Sequence, residues 1–238
     1  MNKNNQEISR TKVELYLECN RCFWLDVRYG IRRPRLNLAG NIGSKYDSLI
    51  KKYFDECRKK GETPKEIREL DTDLCLFPYS KLIDNSKLID RWRNGIGYRY
   101  PNSTITFYGE IDDLLIKRDQ LVPLDIKTTI SRDFQIPEAY TRQLEFYGYL
   151  LEKNGKSLAD FGVLYIIRVD IDKDFQKIKE GKAVIEVREA RKVELNYEKW
   201  DKILEDLISV YNSEEEPDPA ENCEFCQRDK KIMELRKT

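Results

Sequence analysis

Two carboxylates and one lysine are the residues of this chain best spaced for chemistry. The stretch YGEIDDLL carries Asp112, and LDIKTT carries Asp125 and Lys127. Side chains alternate along a strand, so Asp125 and Lys127 project from one face, with Leu124 and Ile126 on the other. Only Arg118, Asp119 and Gln120 separate the two strands in which they lie, expected at 104–117 and 121–128. A connection that short favours a hairpin, with Asp112 beside Asp125. Two ionised carboxylates ~4 Å apart repel by roughly 4 kcal/mol at an effective dielectric of about 20, so the pair calls for a cation. Lys127 supplies one. A divalent ion bound through carboxylate oxygens supplies a stronger one and leaves water positions open for a phosphate. The same three residues also fit a surface salt-bridge ladder, because cross-strand charge pairs are common.

Cysteines form the second constellation. Cys19 and Cys22 make one C-x-x-C in YLECNRCFWLD, and Cys223 and Cys226 make another in CEFC. Each spacing lets two thiolates reach one metal, and together they make a four-cysteine set clamping the two ends of the chain. A closed all-cysteine site suits zinc or an iron–sulfur cluster by residue type. A thiol–disulfide redox role is disfavoured, because no βαβ unit surrounds either motif. Cys57 and Cys75 lack partner spacing and read as semi-buried thiols.

The composition limits what else the chain can do. Histidine is absent from all 238 residues, so imidazole bases and His-ligated zinc are excluded. The 43 basic and 43 acidic residues balance, which argues against a uniformly basic nucleic-acid coat and leaves room for a local basic groove. RYGIRRPR is such a local run, with Arg28, Arg32, Arg33 and Arg35 as candidate phosphate contacts; the alternative is a solvated loop. MNKNNQEISR has no apolar core, and the longest apolar run, FGVLYII, is too short for a membrane span. A cytoplasmic protein with no membrane partner is therefore expected, with thiols reduced or bound to metal.

The elements that must hold these groups follow from periodicity. Thr11 and Glu14 have capping-box spacing and open a helix to about Cys19. A second helix runs from about Ile42 to Arg58, with a stripe of Ile42, Tyr46, Leu49 and Tyr53. Residues 61–94 read as short helices and loops. Strands are expected at 104–117, 121–128, 161–169 and 182–194. Helices are expected at 137–153, with Tyr140, Leu144, Tyr147 and Leu151 on one stripe, and at 197–211. The fold class is mixed α/β: a sheet flanked by helices, with an N-terminal helical part (1–95), a core (96–213) and a C-terminal tail (214–238), all in one integrated domain.

The ordered set Gly109-x-x-Asp112, Asp125-x-Lys127 and Gln143-x-x-x-Tyr147 resembles the PD-(D/E)XK nucleases of the RecB-like branch, which includes CRISPR-associated nucleases and the nuclease domains of recombination helicases. The resemblance runs from about Leu15 to Cys226 and is weakest over 60–95. It implies a restriction-endonuclease-like core sheet and hydrolysis of DNA phosphodiesters with magnesium or manganese. Asp112, Asp125 and the Ile126 carbonyl would hold the metal, and Lys127 would be catalytic. Gln143 and Tyr147 would orient the site, and Gly109 would let the backbone pass close to it. Many members have a metal-binding His in a Gly-x-x-x-His setting; here Gly43 is followed by Asp47, the natural substitute. Many also carry an iron–sulfur cluster on one N-terminal and three C-terminal cysteines. This chain departs from that pattern with two and two. The implied partners are DNA, single-stranded or with free ends, and proteins of CRISPR adaptation or of recombination and repair. An inactive nucleic-acid-binding or scaffold subunit on the same fold is the alternative.

Overall fold

The computed structural model describes residues 6–34, 40–78, 95–171, 175–180 and 184–235. They form a mixed α/β fold of two sheets flanked by helices. The residues group into two compact units assembled from non-contiguous segments: 1–37, 100–107 and 198–238 in one, 38–99 and 108–197 in the other. Neither unit coincides with one of the consecutive ranges read from the sequence.

In the first unit, β1 (Gln6–Ser9) lies beside β4 (Ile105–Gly109), and α1 (Arg10–Glu18) follows at once. Ser9 caps that helix, its hydroxyl accepting the Lys12 N–H. Cys19 then takes an extended conformation and separates α1 from α2 (Asn20–Tyr29), which ends on Gly30 in the left-handed region at φ 68°. Two further helices complete the unit, α7 (Lys199–Asn212) and α8 (Glu224–Leu235). Trp200, Leu204 and Leu207 bury the inner face of α7, and Trp24 Nε1 donates to the Ser213 carbonyl beyond its end at 3.0 Å.

The second unit is organised by a five-stranded sheet in the order β2-β5-β6-β7-β8, with β2 at Leu74–Leu76, β5 at Asp113–Lys117, β6 at Gln120–Thr129, β7 at Phe161–Ile171 and β8 at Val184–Glu194. β5 and β6 form an antiparallel hairpin whose turn places Arg118 at φ 56°. β6 and β7 run parallel, so the chain must cross over between them, and α5 (Glu138–Lys153) is that crossover. The alternation of β7 sorts its neighbours. Val163, Tyr165 and Ile167 pack with Ile50 and Phe54 of α3 (Gly40–Lys60) and Ile67 of α4 (Lys65–Leu70). Leu164 and Ile166 pack with Leu144 of α5. β3 (Ile96–Arg99) sets Tyr98 edge-on to Tyr149 of α5, and α6 (Phe175–Lys179) lies in the connection from β7 to β8. No helix among the described residues is long and apolar enough to cross a membrane.

The structure departs from the sequence reading in several places. The strand expected at 104–117 is two strands broken at residues 110–112, because β4 pairs with β1 whereas β5 pairs with β2 and β6. The first helix is capped by Ser9 rather than Thr11, and α2 occupies a stretch where no helix was read. On α3 the buried row is Ile50, Phe54 and Cys57, with Tyr46 packed against it, while Leu49 is 59% exposed. The stripe had been drawn one residue early at both turns, and each step rotates a helix by roughly 100°. The Ile42 side chain lies outside the described residues. Residues 61–94 contribute α4 and the edge strand β2, and 79–94 lie outside the described residues. Cys57 and Cys75, both read as semi-buried, part ways: Cys57 is buried and Cys75 on the edge strand is exposed.

Candidate active site and cysteine centre

The hairpin register sets Asp113 opposite Leu124, which puts Asp112 level with Asp125. β5 ends there, and the Asp112 side chain takes over the ladder: its Oδ2 accepts the Ile126 N–H at 2.8 Å. In an extended strand a residue's N–H and C=O leave toward the same edge, so the Ile126 carbonyl also faces the Asp112 side. Asp125 is fully buried and pairs through Oδ2 with Lys127 Nζ at 2.6 Å. From α5, Gln143 joins the two: its Oε1 accepts from Lys127 at 3.1 Å, and its Nε2 lies 2.7 Å from Asp125 Oδ1 and 2.9 Å from the Tyr147 hydroxyl. The Lys127 ammonium also lies over the Tyr140 ring, 4.5 Å from its centroid. Alternation on β6 and the four-residue spacing on α5 are what bring Asp125, Lys127, Gln143 and Tyr147 into one network.

Asp47 enters through a residue the sequence reading did not single out. Lys51, one turn later on α3, bonds Asp47 Oδ2 at 2.9 Å and Asp112 Oδ1 at 2.8 Å. Its spacing from Asp47, four residues along a helix, is the signal that was available. Burial works against the Lys51 charge, yet Asp112 and Asp47 outweigh it and hold its pKa above the ordinary value. Burial pushes the Asp125 carboxyl up to about 7, aided by Asp112 and opposed by Lys127. Asp47 Oδ1 is buried with no hydrogen-bond partner. An orphaned carboxylate oxygen on a residue that shares Lys51 with Asp112 fits a hard divalent cation, and an all-oxygen donor set suits magnesium or manganese. Among the described residues no three carboxylates close to within 4.8 Å of one another; the Lys51 ammonium spans Asp47 and Asp112 instead.

Gly109 has a steric role. A Cβ there would stand 2.7 Å from Cε1 and 3.0 Å from Cδ1 of Tyr147, whose ring is buried. Gly109→Ala is therefore expected to displace Tyr147, and Gln143 with it, and to destabilise the protein by about 1–3 kcal/mol. Urea denaturation measures the loss, and an unchanged midpoint would show that the ring gives way freely.

The four outer cysteines converge within the first unit. Their Sγ atoms all lie within 4.8 Å of one another, and all four residues are buried. Cys22 is 3.5 Å from Cys223 and 3.6 Å from Cys226, and Cys19 is 3.8 Å from Cys226. Burial raises the thiol pKa values of Cys22 and Cys226. Cys19 goes the other way, down to about 6: burial opposes ionisation, but the Ala220 and Cys22 backbone N–H groups outweigh it. A buried set of four thiols without a disulfide fits a metal ion, which ionises such thiols by displacing their protons.

Two of the arginines read as phosphate contacts are engaged inside the fold. Arg28 lies in the last turn of α2, donates to the Ser213 carbonyl and covers the Trp24 ring. Arg33 pairs with Glu18, lies over Phe225 and donates to Cys223 Sγ. Arg32 is exposed, bridged to Asp26 at 3.4 Å, and lines a groove of about 410 Å³ in which basic residues, Arg10 and Lys12 among them, alternate with Glu14, Glu18 and Asp26. Arg35 lies outside the described residues.

Residues 87–230 match the PD-(D/E)XK nuclease superfamily, and the chain belongs to it. Among solved structures, the chain is similar to the crystal structure of SSO0001, at 16% identity over 90% of this chain and 80% of that one, with a TM-score of 0.41. No curated protein matches the chain.

Proposed function

We propose that this protein is a metal-dependent nuclease of the RecB-like branch that hydrolyses DNA phosphodiesters, with Asp112, Asp125 and the Ile126 carbonyl as ligands of magnesium or manganese and Asp47 as a further ligand. The observation that carries this reading is the network of Asp125, Lys127, Gln143 and Tyr147, with Asp112 held beside it by the Ile126 N–H, in a chain of this superfamily. A bound divalent ion supplies Lewis acidity toward the phosphate and a more acidic water. The chain's own groups do the rest. Lys127 orients the attacking water and neutralises charge on the phosphate. Gln143 fixes the Asp125 carboxylate and the Lys127 ammonium relative to each other, and Tyr147 fixes Gln143. Arg32 is the exposed candidate for a phosphate contact. The resemblance of the motif set to the RecB-like branch supports DNA with free or single-stranded ends as substrate, and partners in CRISPR adaptation or in recombination and repair.

Labelled single- and double-stranded DNA, incubated with and without magnesium or manganese, tests the reading. Cleavage only with metal supports it. DNA binding without cleavage in either metal sinks it in favour of the scaffold subunit. The raised Asp125 pKa adds a test independent of turnover. Below about pH 7 this carboxyl keeps its proton, and a bound metal must displace it. Apparent manganese affinity, followed by calorimetry or electron paramagnetic resonance, should thus fall about tenfold per pH unit below that value and level off above it. In the metal-free protein the sign is opposite: the stability linked to Asp125 is greatest in acid and is lost as pH rises through about 7. Affinity that is flat in pH would remove Asp125 from the ligand set.

A further inference from the structure

The four sulfurs can be asked which kind of centre they are spaced to hold. A tetrahedral ion with metal–sulfur bonds of about 2.3 Å places its ligand sulfurs about 3.8 Å apart. Three of the six separations here are 3.5, 3.6 and 3.8 Å, and all six lie within 4.8 Å. In a four-iron cluster each thiolate ends on a different iron, so the iron–iron spacing adds to two iron–sulfur bonds and drives the sulfurs well apart. The four cysteines do not fit that spread; they would have to open on every side from a buried site.

We infer that Cys19, Cys22, Cys223 and Cys226 hold a single tetrahedral zinc ion, in place of the iron–sulfur cluster carried by many members of the branch this chain resembles. Independent observations agree. The ligands come as two C-x-x-C pairs, each from a short stretch of chain, the arrangement of structural zinc sites. Zinc with four thiolates carries two net negative charges, and two guanidiniums meet them. Arg21 Nη1 donates to Cys226 Sγ at 3.6 Å and Arg33 Nη2 to Cys223 Sγ at 3.4 Å. The Ala220 N–H adds a bond to Cys19 Sγ at 3.5 Å. These donors orient the ligands and damp their charge, as partners beyond the ligand shell do at metal sites. All four positions are filled by protein, so the ion is structural and without redox chemistry. It ties α2 to the start of α8. None of this depends on the nuclease assignment.

The full-length chain, expressed in medium supplemented with both iron and zinc and purified without oxygen, provides the test. The expected result is one zinc per chain, no iron, no acid-labile sulfide and no visible absorption. X-ray absorption at the zinc edge should show a sulfur-only shell near 2.3 Å, with no metal neighbour. Because Cys→Ser variants can fail to fold, a second measurement uses the wild type. A thiol-specific mercurial should release zinc in proportion to four thiols blocked, and the unfolding midpoint should fall with the release. A brown protein with iron and sulfide overturns the inference. So does zinc bound through nitrogen or oxygen, or a metal-free protein in which all four thiols titrate in the folded state.

Discussion

Lys127→Ala should reduce DNA cleavage by a factor on the order of 10³ while leaving DNA affinity within a few-fold of wild type, the loss expected when a group that meets charge developing in the transition state is removed. The structure supplies two reasons for so large an effect. Lys127 is the cation closest to the buried Asp125 carboxylate, at 2.6 Å, and it opposes the burial and the Asp112 charge that raise that group's pKa. Its loss leaves two adjacent aspartates without that counter-charge, so metal binding at neutral pH weakens as well. Its ammonium is also held in place by Gln143 and by the Tyr140 ring. Arginine should not restore the rate, because a planar guanidinium cannot occupy a position defined by a compact ammonium. The assays are single-turnover cleavage with saturating manganese, DNA binding in calcium, and thermal unfolding to confirm the fold. A Lys127→Ala protein that cleaves at the wild-type rate means that the lysine is only a salt-bridge partner, as the sequence alone allowed.

How far the site was legible depended on how local its determinants are. Asp125 and Lys127 share a face because strands alternate, and no knowledge of the rest of the fold was needed. Gln143 and Tyr147 share a face because they stand one helical turn apart, and the stripe of α5 that includes Leu144 and Leu151 is buried as read. The hairpin that sets Asp112 level with Asp125 followed from a short connection. Other features required the tertiary structure. Lys51 reads as one lysine among many until α3 lies on the sheet. The buried row of α3 was misread because Tyr46, Leu49 and Tyr53 make as good a helical stripe as Tyr46, Ile50 and Phe54; only contact with Tyr165 and its neighbours decides between them. The C-x-x-C spacing pointed to a four-cysteine set able to hold a metal but said nothing of the sulfur separations. It also gave no hint that Arg33, read as a phosphate contact, would donate to one of those sulfurs.

Arg58→Ala is expected to destabilise the protein by about 3–5 kcal/mol, the largest loss of stability predicted for any single replacement outside the cysteines. Arg58 and Asp113 form an ion pair with side chains 2% and 0% exposed. The guanidinium also donates to the Phe77 carbonyl at 2.8 Å and to Asp55 at 2.7 Å, and Asp113 Oδ1 accepts the Leu114 N–H at 2.7 Å. Removing the arginine leaves a buried carboxylate without its counter-charge in the strand adjoining Asp112, and the Leu114 N–H does not offset the desolvation of that charge. The effect should reach the site as well. Arg58 anchors α3 to β5, and α3 presents Asp47 and Lys51 to Asp112. A loosened helix should therefore weaken manganese binding more than it changes the chemical step at saturating metal. The double replacement Arg58→Met with Asp113→Leu separates the two contributions. It removes both charges together and should recover most of the stability, since a well-packed apolar pair often equals a buried ion pair. Urea denaturation of the two variants in the metal-free state provides the measurement. A loss below about 1 kcal/mol for Arg58→Ala, the range of exposed pairs, would mean that water reaches Asp113 once the arginine is gone and that the pair does not hold α3 on the sheet.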